Sequence, residues 1–161
     1  MTTSTPGYFT TTETTRSEPE TLVEGRLFLT DTELVCGAGT GPVTSGYAGA
    51  VDDHAGSTLR RLFGGRLDPQ QFSLDDARSR ERTVVVPFAA VDDVASVSWS
   101  GSDLSGTDQT FAVRVETSRV DGSLLLQLGH GTRNRGSGRE RHDRLRTLLA
   151  VSADASRTGR E

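Results

Sequence analysis

"QTFAVRVETSRVDGSLLLQLG", residues 109–129, reads as two strands and a tight turn. Phe111, Val113 and Val115 point one way while Thr110, Arg114 and Glu116 point the other, the period of a half-buried strand. Leu124, Leu126 and Leu128 repeat that spacing after the turn. Between them, "RVDGS" places a glycine behind an aspartate, where a hairpin needs a residue that accepts positive φ. The segment is therefore an antiparallel hairpin. On its C-terminal side, glycines and arginines lead into a helix predicted from Gly138 to Ser152. There His142, Leu145, Leu148 and Leu149 form an apolar stripe at helical spacing.

Upstream, "RTVVVPFAAVDDVASVSW" reads as strand, turn, strand. Val84, Val86 and Phe88 share a face, Pro87 ends the first strand or sets it at a sheet edge, and Asp92–Asp93 makes the bend. Val94, Val97 and Trp99 carry the next strand. "TLVEGRLFLTDTELVCG", residues 21–37, gives a second hairpin turning at "TDTE". Between Gly37 and Arg82 the apolar signal thins into a long loop. Its Ser57 could cap a short helical turn bearing Leu59, Leu62 and Phe63 and ended by Gly64–Gly65. Residues 1–20, rich in Thr, Ser, Glu and Pro, read as a disordered tail with Tyr8 and Phe9 as its sole anchors; residues 153–161 read as a second tail. One domain, 21–152, remains. The expected fold is mainly β (α+β): a bent antiparallel sheet or partly open barrel with one C-terminal amphipathic helix.

Composition narrows function. The chain has 161 residues, 33% of them hydrophobic, and a mean hydropathy of -0.43, so about 100 residues are expected to pack. No run of 18 apolar residues exists, and the N-terminus carries neither the basic start nor the apolar stretch of a secretion signal. Cys36 is the single cysteine, which fits a reducing cytoplasm. All 18 basic residues are arginine, so lysine-based Schiff chemistry and a Walker lysine are excluded.

The stretches "EGRLFLTDTELV" and "RTVVVPFAAVDDVASV" resemble the GRAM and bacterial PH-like domains of the pleckstrin-homology superfold. Gly25, Leu27, Leu29, Thr30 and Leu34 match the glycine-led first strand and the apolar strand after it. Val86, Pro87, Phe88 and Val91 match the strand that ends in proline. The later hairpin and terminal helix match the element order, so the resemblance spans roughly residues 22–151. It implies a PH-like fold and a binding role, either as a protein-docking adaptor, including in prokaryotic signalling, or toward lipid headgroups. The long loop and the absence of lysine depart from the family's phosphoinositide binders.

Among candidate sites, "GAGTGPVTSGYAG", residues 37–49, has the wrong glycine spacing for a dinucleotide or phosphate loop and reads as a plain loop. Asp52, Asp53 and His54 are the residues a small metal-dependent enzyme would use, but no partner cluster accompanies them. Cys36, His130 and His142 lack zinc spacing, Cys36 reads as a core residue, and His142 reads as a packing histidine. The positive lead is arginine. Arg133, Arg135, Arg139, Arg141, Arg144 and Arg146 crowd one segment, opposed by Glu140 and Asp143 alone. Guanidinium forks grip carboxylates or phosphates. A protein partner is the leading expectation, with an anionic lipid surface or nucleic acid as the alternative; the net charge of -4 argues against nucleic acid. Against all of these stands a face of arginines paired to the protein's own acids. Arg60, Arg61, Leu62, Phe63 and Arg66 form a secondary surface, or Leu62 and Phe63 simply pack on the sheet. No cofactor and no metal are expected, and the function expected is a non-catalytic adaptor or binding module.

Overall fold

The computed structural model describes residues 2–12, 21–39, 44–45, 72–100, 109–128 and 135–159. Its elements in chain order begin with β1 (Thr3–Thr12), β2 (Thr21–Leu29), β3 (Glu33–Ala38) and the short β4 (Thr44–Ser45). Then come helix α1 (Leu74–Arg78), β5 (Val84–Pro87), a 3-10 turn (Phe88–Ala90) and β6 (Val91–Ser100). β7 (Gln109–Thr117), β8 (Ser123–Leu128) and helix α2 (Arg135–Thr158) complete the chain. Every strand pairing is antiparallel, and the sheet runs β5-β3-β2-β1-β8-β7-β6, with β4 paired to β2. The sheet curls into a half-barrel, mainly β, with one long C-terminal helix against its concave side.

The hairpin expected at 109–129 forms over its described residues, 109–128, as its alternation requires. Val113 opposes Leu126 and Val115 opposes Leu124, all four fully buried. Gly122 takes φ 77° in the turn, the left-handed conformation that side chains resist. The hairpin at 21–37 also forms. Thr30 closes its turn: its amide donates to the Glu33 carbonyl at 3.0 Å, and its hydroxyl accepts from the amides of Thr32 and Glu33.

Inward-facing residues make one core: Phe9, Leu27, Leu34, Cys36, Val86, Phe88, Val91, Val113, Val115, Leu124 and Leu126, closed by Leu145, Leu149 and Ala153 of α2. A second cluster lies on the outer face, where Phe28, Val35 and Val85 are covered by Phe72, Leu74 and Ala77. Ser73 caps α1 through a reciprocal capping box with Asp76. An ion pair from Arg78 to Glu33 and a 2.8 Å bond from Arg80 to the Ala38 carbonyl fasten this segment to β3.

The structure corrects four expectations. Residues 3–12, read as tail, form a strand at the centre of the sheet between β2 and β8. Thr suits a pleated strand, and Gly7 and Phe9 supply its buried face. Residues 153–158, also read as tail, continue α2, because Ala153 extends the stripe His142, Leu145, Leu149. Leu148 does not belong to that stripe and stands 49% exposed. Finally, the bend after Pro87 falls at Phe88–Ala90, while Asp92 and Asp93 lie within β6, where the register shifts between Val91 and Asp93. Within 37–82, the ends are structured as β3, β4 and the α1 segment. The turn at Ser57–Gly65 lies outside the described residues.

Candidate functional site

Helix α2 carries the arginines, and its winding divides them. At about 100° per residue, Arg139 and Asp143 fall on one side of the buried stripe, and Arg141, Arg144 and Leu148 on the other. Arg133 lies outside the described residues, as do Arg60, Arg61, Leu62, Phe63, Arg66, Asp52, Asp53, His54 and His130. Arg135 opens the helix. Arg146 is half-buried.

On the first side, α2 faces β6 and β7 across a cavity of about 190 Å³ lined by Ser96, Ser98, Phe111, Arg139, His142 and Asp143, among others. The Arg139 guanidinium stands over the Phe111 ring, 5.5 Å from its centroid. The Ser96 hydroxyl donates to the Asp143 carboxylate at 2.8 Å. Serine, histidine and aspartate thus meet here, but not as a nucleophile and its base. His142 Nε2 accepts from the Leu128 amide at 3.0 Å, and Nδ1 lies 2.6 Å from the Gly138 carbonyl, which can only accept. Both ring nitrogens are committed to backbone, which fixes the neutral Nδ1–H tautomer and leaves no lone pair for a hydroxyl proton. Beyond the packing role that its spacing suggests, His142 pins the end of β8 to the first turns of α2.

Burial holds the His142 imidazole below its ordinary pKa, with Arg141 adding to the depression and the Gly138 carbonyl and Asp143 opposing it. The folded state therefore resists the proton that the unfolded chain accepts below about pH 6.5. Stability contributed by neutral His142 is whole above that pH and is lost as the pH falls further. The urea midpoint of the wild type should drop between about pH 7 and pH 5. A His142→Leu variant, weaker throughout, should lose that part of the slope; an unchanged slope would sink the assignment.

On the second side lies a groove of about 240 Å³, lined by Thr3, Ser4, Thr5, Leu29, Leu128, Leu145 and Leu148, with Arg141 and Arg144 at its rim. Arg144 is 80% exposed and pairs with Glu140, one turn back, at 3.9 Å. The sequence places the arginines on one segment but hides this floor, since Thr3–Thr5 read as tail. The structure brings Arg141 and Arg144 together and sets Arg139 apart from them.

Other candidates carry less chemistry. Cys36 is fully buried, and burial pushes its thiol pKa far up, so it stays protonated and unreactive. Among the described residues no group of three or more His, Cys, Asp or Glu side chains could hold a metal ion, and no helix is long and apolar enough to cross a membrane. Comparison with family models, with curated proteins and with solved structures finds no match.

Proposed function

We propose that the chain is a non-catalytic binding module of the PH and GRAM-like kind, acting in the cytoplasm and docking a protein partner through the first half of α2. In favour of that kind stands the strand order, seven antiparallel strands curled around a core that the terminal helix closes. The residues that carry the resemblance also take core positions: Leu27, Leu34, Val86, Phe88 and Val91 are all at most 1% exposed.

The observation that carries the docking reading is the pairing of charge with an apolar floor. Two guanidiniums border a groove of leucines on a surface whose chain is acidic as a whole. Phosphate or nucleic-acid binding has no use for such a floor, whereas protein interfaces combine arginine with buried aliphatic anchors.

The test is affinity capture from host lysate with nuclease present. Wild type runs beside a variant with Arg139, Arg141, Arg144 and Arg146 changed to Ser. A protein retained by wild type and lost, by about tenfold or more, in the variant is the expected result. Equal recovery from both would overturn the reading. Loss of all capture on nuclease treatment, or flotation with anionic liposomes that depends on the same arginines, would replace it with the anionic-surface alternative.

A further inference from the structure

Helix α2 buries one arc against the sheet, and its remaining surface carries an apolar patch. Leu148 and Val151, 49% and 61% exposed, are the exposed large hydrophobics among the described residues. Three residues apart, they are neighbours on the helix surface. Arg141 and Arg144 before them, and Ala155 and Thr158 after them, continue the row at alternating spacings of three and four. Such spacing keeps one seam turned toward a second helix along its whole length.

The charges beside this seam complement one another in reverse order. At 1.5 Å of rise per residue, Arg144 lies about 8 Å toward the N-terminus from the point midway between Leu148 and Val151. Asp154 lies about 7 Å from that point in the other direction. The two are 80% and 78% exposed, and each pairs one turn away within its own helix, Arg144 with Glu140 at 3.9 Å and Asp154 with Arg157 at 3.7 Å. Exposed pairs of that kind hold their partners weakly. Arg157 is also drawn off the seam, donating to the Val91 and Asp92 carbonyls of β6. A second α2 laid antiparallel on the first, midpoint on midpoint, sets Leu148 against Val151 twice and Arg144 against Asp154 twice. The contact closes on itself about a two-fold axis, and the two helix dipoles run in opposition.

We propose that this face of α2 pairs antiparallel with the same face of a second copy of the chain, Leu148 seated on Val151 and Arg144 bridging to Asp154 of the partner subunit. One helix against another is small beside the roughly 1,200–2,000 Å² that stable complexes bury, so the dimer should be weak, half-formed at about 10–100 µM. The inference does not rest on the docking reading. Arg141, Arg144 and Leu148 belong to both surfaces, so a second copy and a docked partner exclude each other there.

Sedimentation velocity of the whole protein across about 1–500 µM tests it. Wild type should rise from its 17.2 kDa monomer toward twice that mass, while Val151→Asp stays monomeric throughout. Arg144→Asp and Asp154→Arg should each weaken self-association by about tenfold, because each sets like charges together twice. An equimolar mixture of those two variants should recover it, since every cross-contact again joins arginine to aspartate; the recovery also shows that both fold. A wild type monomeric at every concentration, a dimer indifferent to Val151→Asp, or a mixture no better than its components would each overturn the proposal. The docking reading fails separately. A monomeric wild type that still captures its lysate partner through the arginines leaves docking standing and removes the dimer. A dimer that passes these tests, beside equal capture by wild type and the arginine variant, removes docking alone.

Discussion

Replacing Phe9 by alanine should lower the unfolding free energy by about 3–5 kcal/mol, the usual cost of truncating a buried aromatic. Phe9 is 2% exposed and sits where β1 meets both neighbours, opposite Val23 on β2 and Leu126 on β8. Its removal leaves a void among Leu27, Leu124 and Leu126 that backbone held on both sides cannot collapse to fill. The effect should exceed that of any other substitution in residues 3–12. Thr11→Ala, at an exposed position on the same strand, should change stability by no more than about 0.5 kcal/mol. Urea denaturation of the two variants makes the comparison. A Phe9→Ala loss under about 1 kcal/mol would mean that the N-terminal segment is dispensable and that β2 and β8 hold together without it.

That strand is hidden in the sequence for a physical reason. A strand flanked on both sides draws its stability from neighbours, so its own residues need supply little apolar area. Thr5, Gly7 and Phe9 do alternate inward, but only Phe9 is large, and polar composition masks the period. The hairpins at 21–37 and 109–129 are legible because their inward faces are aliphatic and their turns carry the right chemistry. The outer cluster is half-legible. Phe28, Val35 and Val85 break the apolar-in, polar-out rule, and such off-face residues mark a strand covered on both sides. The segment around α1 that covers them carries one aromatic, one leucine and one alanine, and it leaves a weak trace in the sequence.

The candidate groove is hidden for a related reason. Leu145, Leu148 and Leu149 are close in sequence and read as one stripe, yet His142, Leu145, Leu149 and Ala153 suffice to define the buried arc. On a helix wheel Leu148 stands about 100° from Leu149, beyond the width of that arc. Counting the arc, and not the leucines, separates the core from the exposed side chain.

A second large effect is expected at Gly25. A Cβ there would lie 1.9 Å from the Gly37 carbonyl oxygen and 3.0 Å from the Gly39 nitrogen, both backbone atoms. Neither can swing aside. Gly39 donates to the Glu24 carbonyl at 2.8 Å, and the ladder from Gly25↔Ala38 to Leu29↔Leu34 fixes β3 against β2. On the other flank Gly25 opposes Gly7, whose own Cβ would meet the Gln127 carbonyl at 3.0 Å and Leu27 at 3.2 Å. A row of small residues, Gly7, Gly25 and Ala38, therefore crosses three strands, and this row allows the sheet to curl tightly around its core. Gly25→Ala must push β3 away from β2 or flatten the curl, at a cost above about 3 kcal/mol, the overpacking range and beyond. Gly7→Ala should cost less, since part of its crowding comes from the Leu27 side chain, which can shift. Gly159→Ala, whose Cβ would stand 3.5 Å from its nearest neighbour at the exposed end of α2, should be neutral within about 0.5 kcal/mol. Soluble yield and urea midpoints should be lowest for Gly25→Ala, intermediate for Gly7→Ala and nearest wild type for Gly159→Ala. A wild-type midpoint for Gly25→Ala would mean that β2 and β3 do not approach so closely. The glycine in the middle of β2 would then owe its place to something other than the curl.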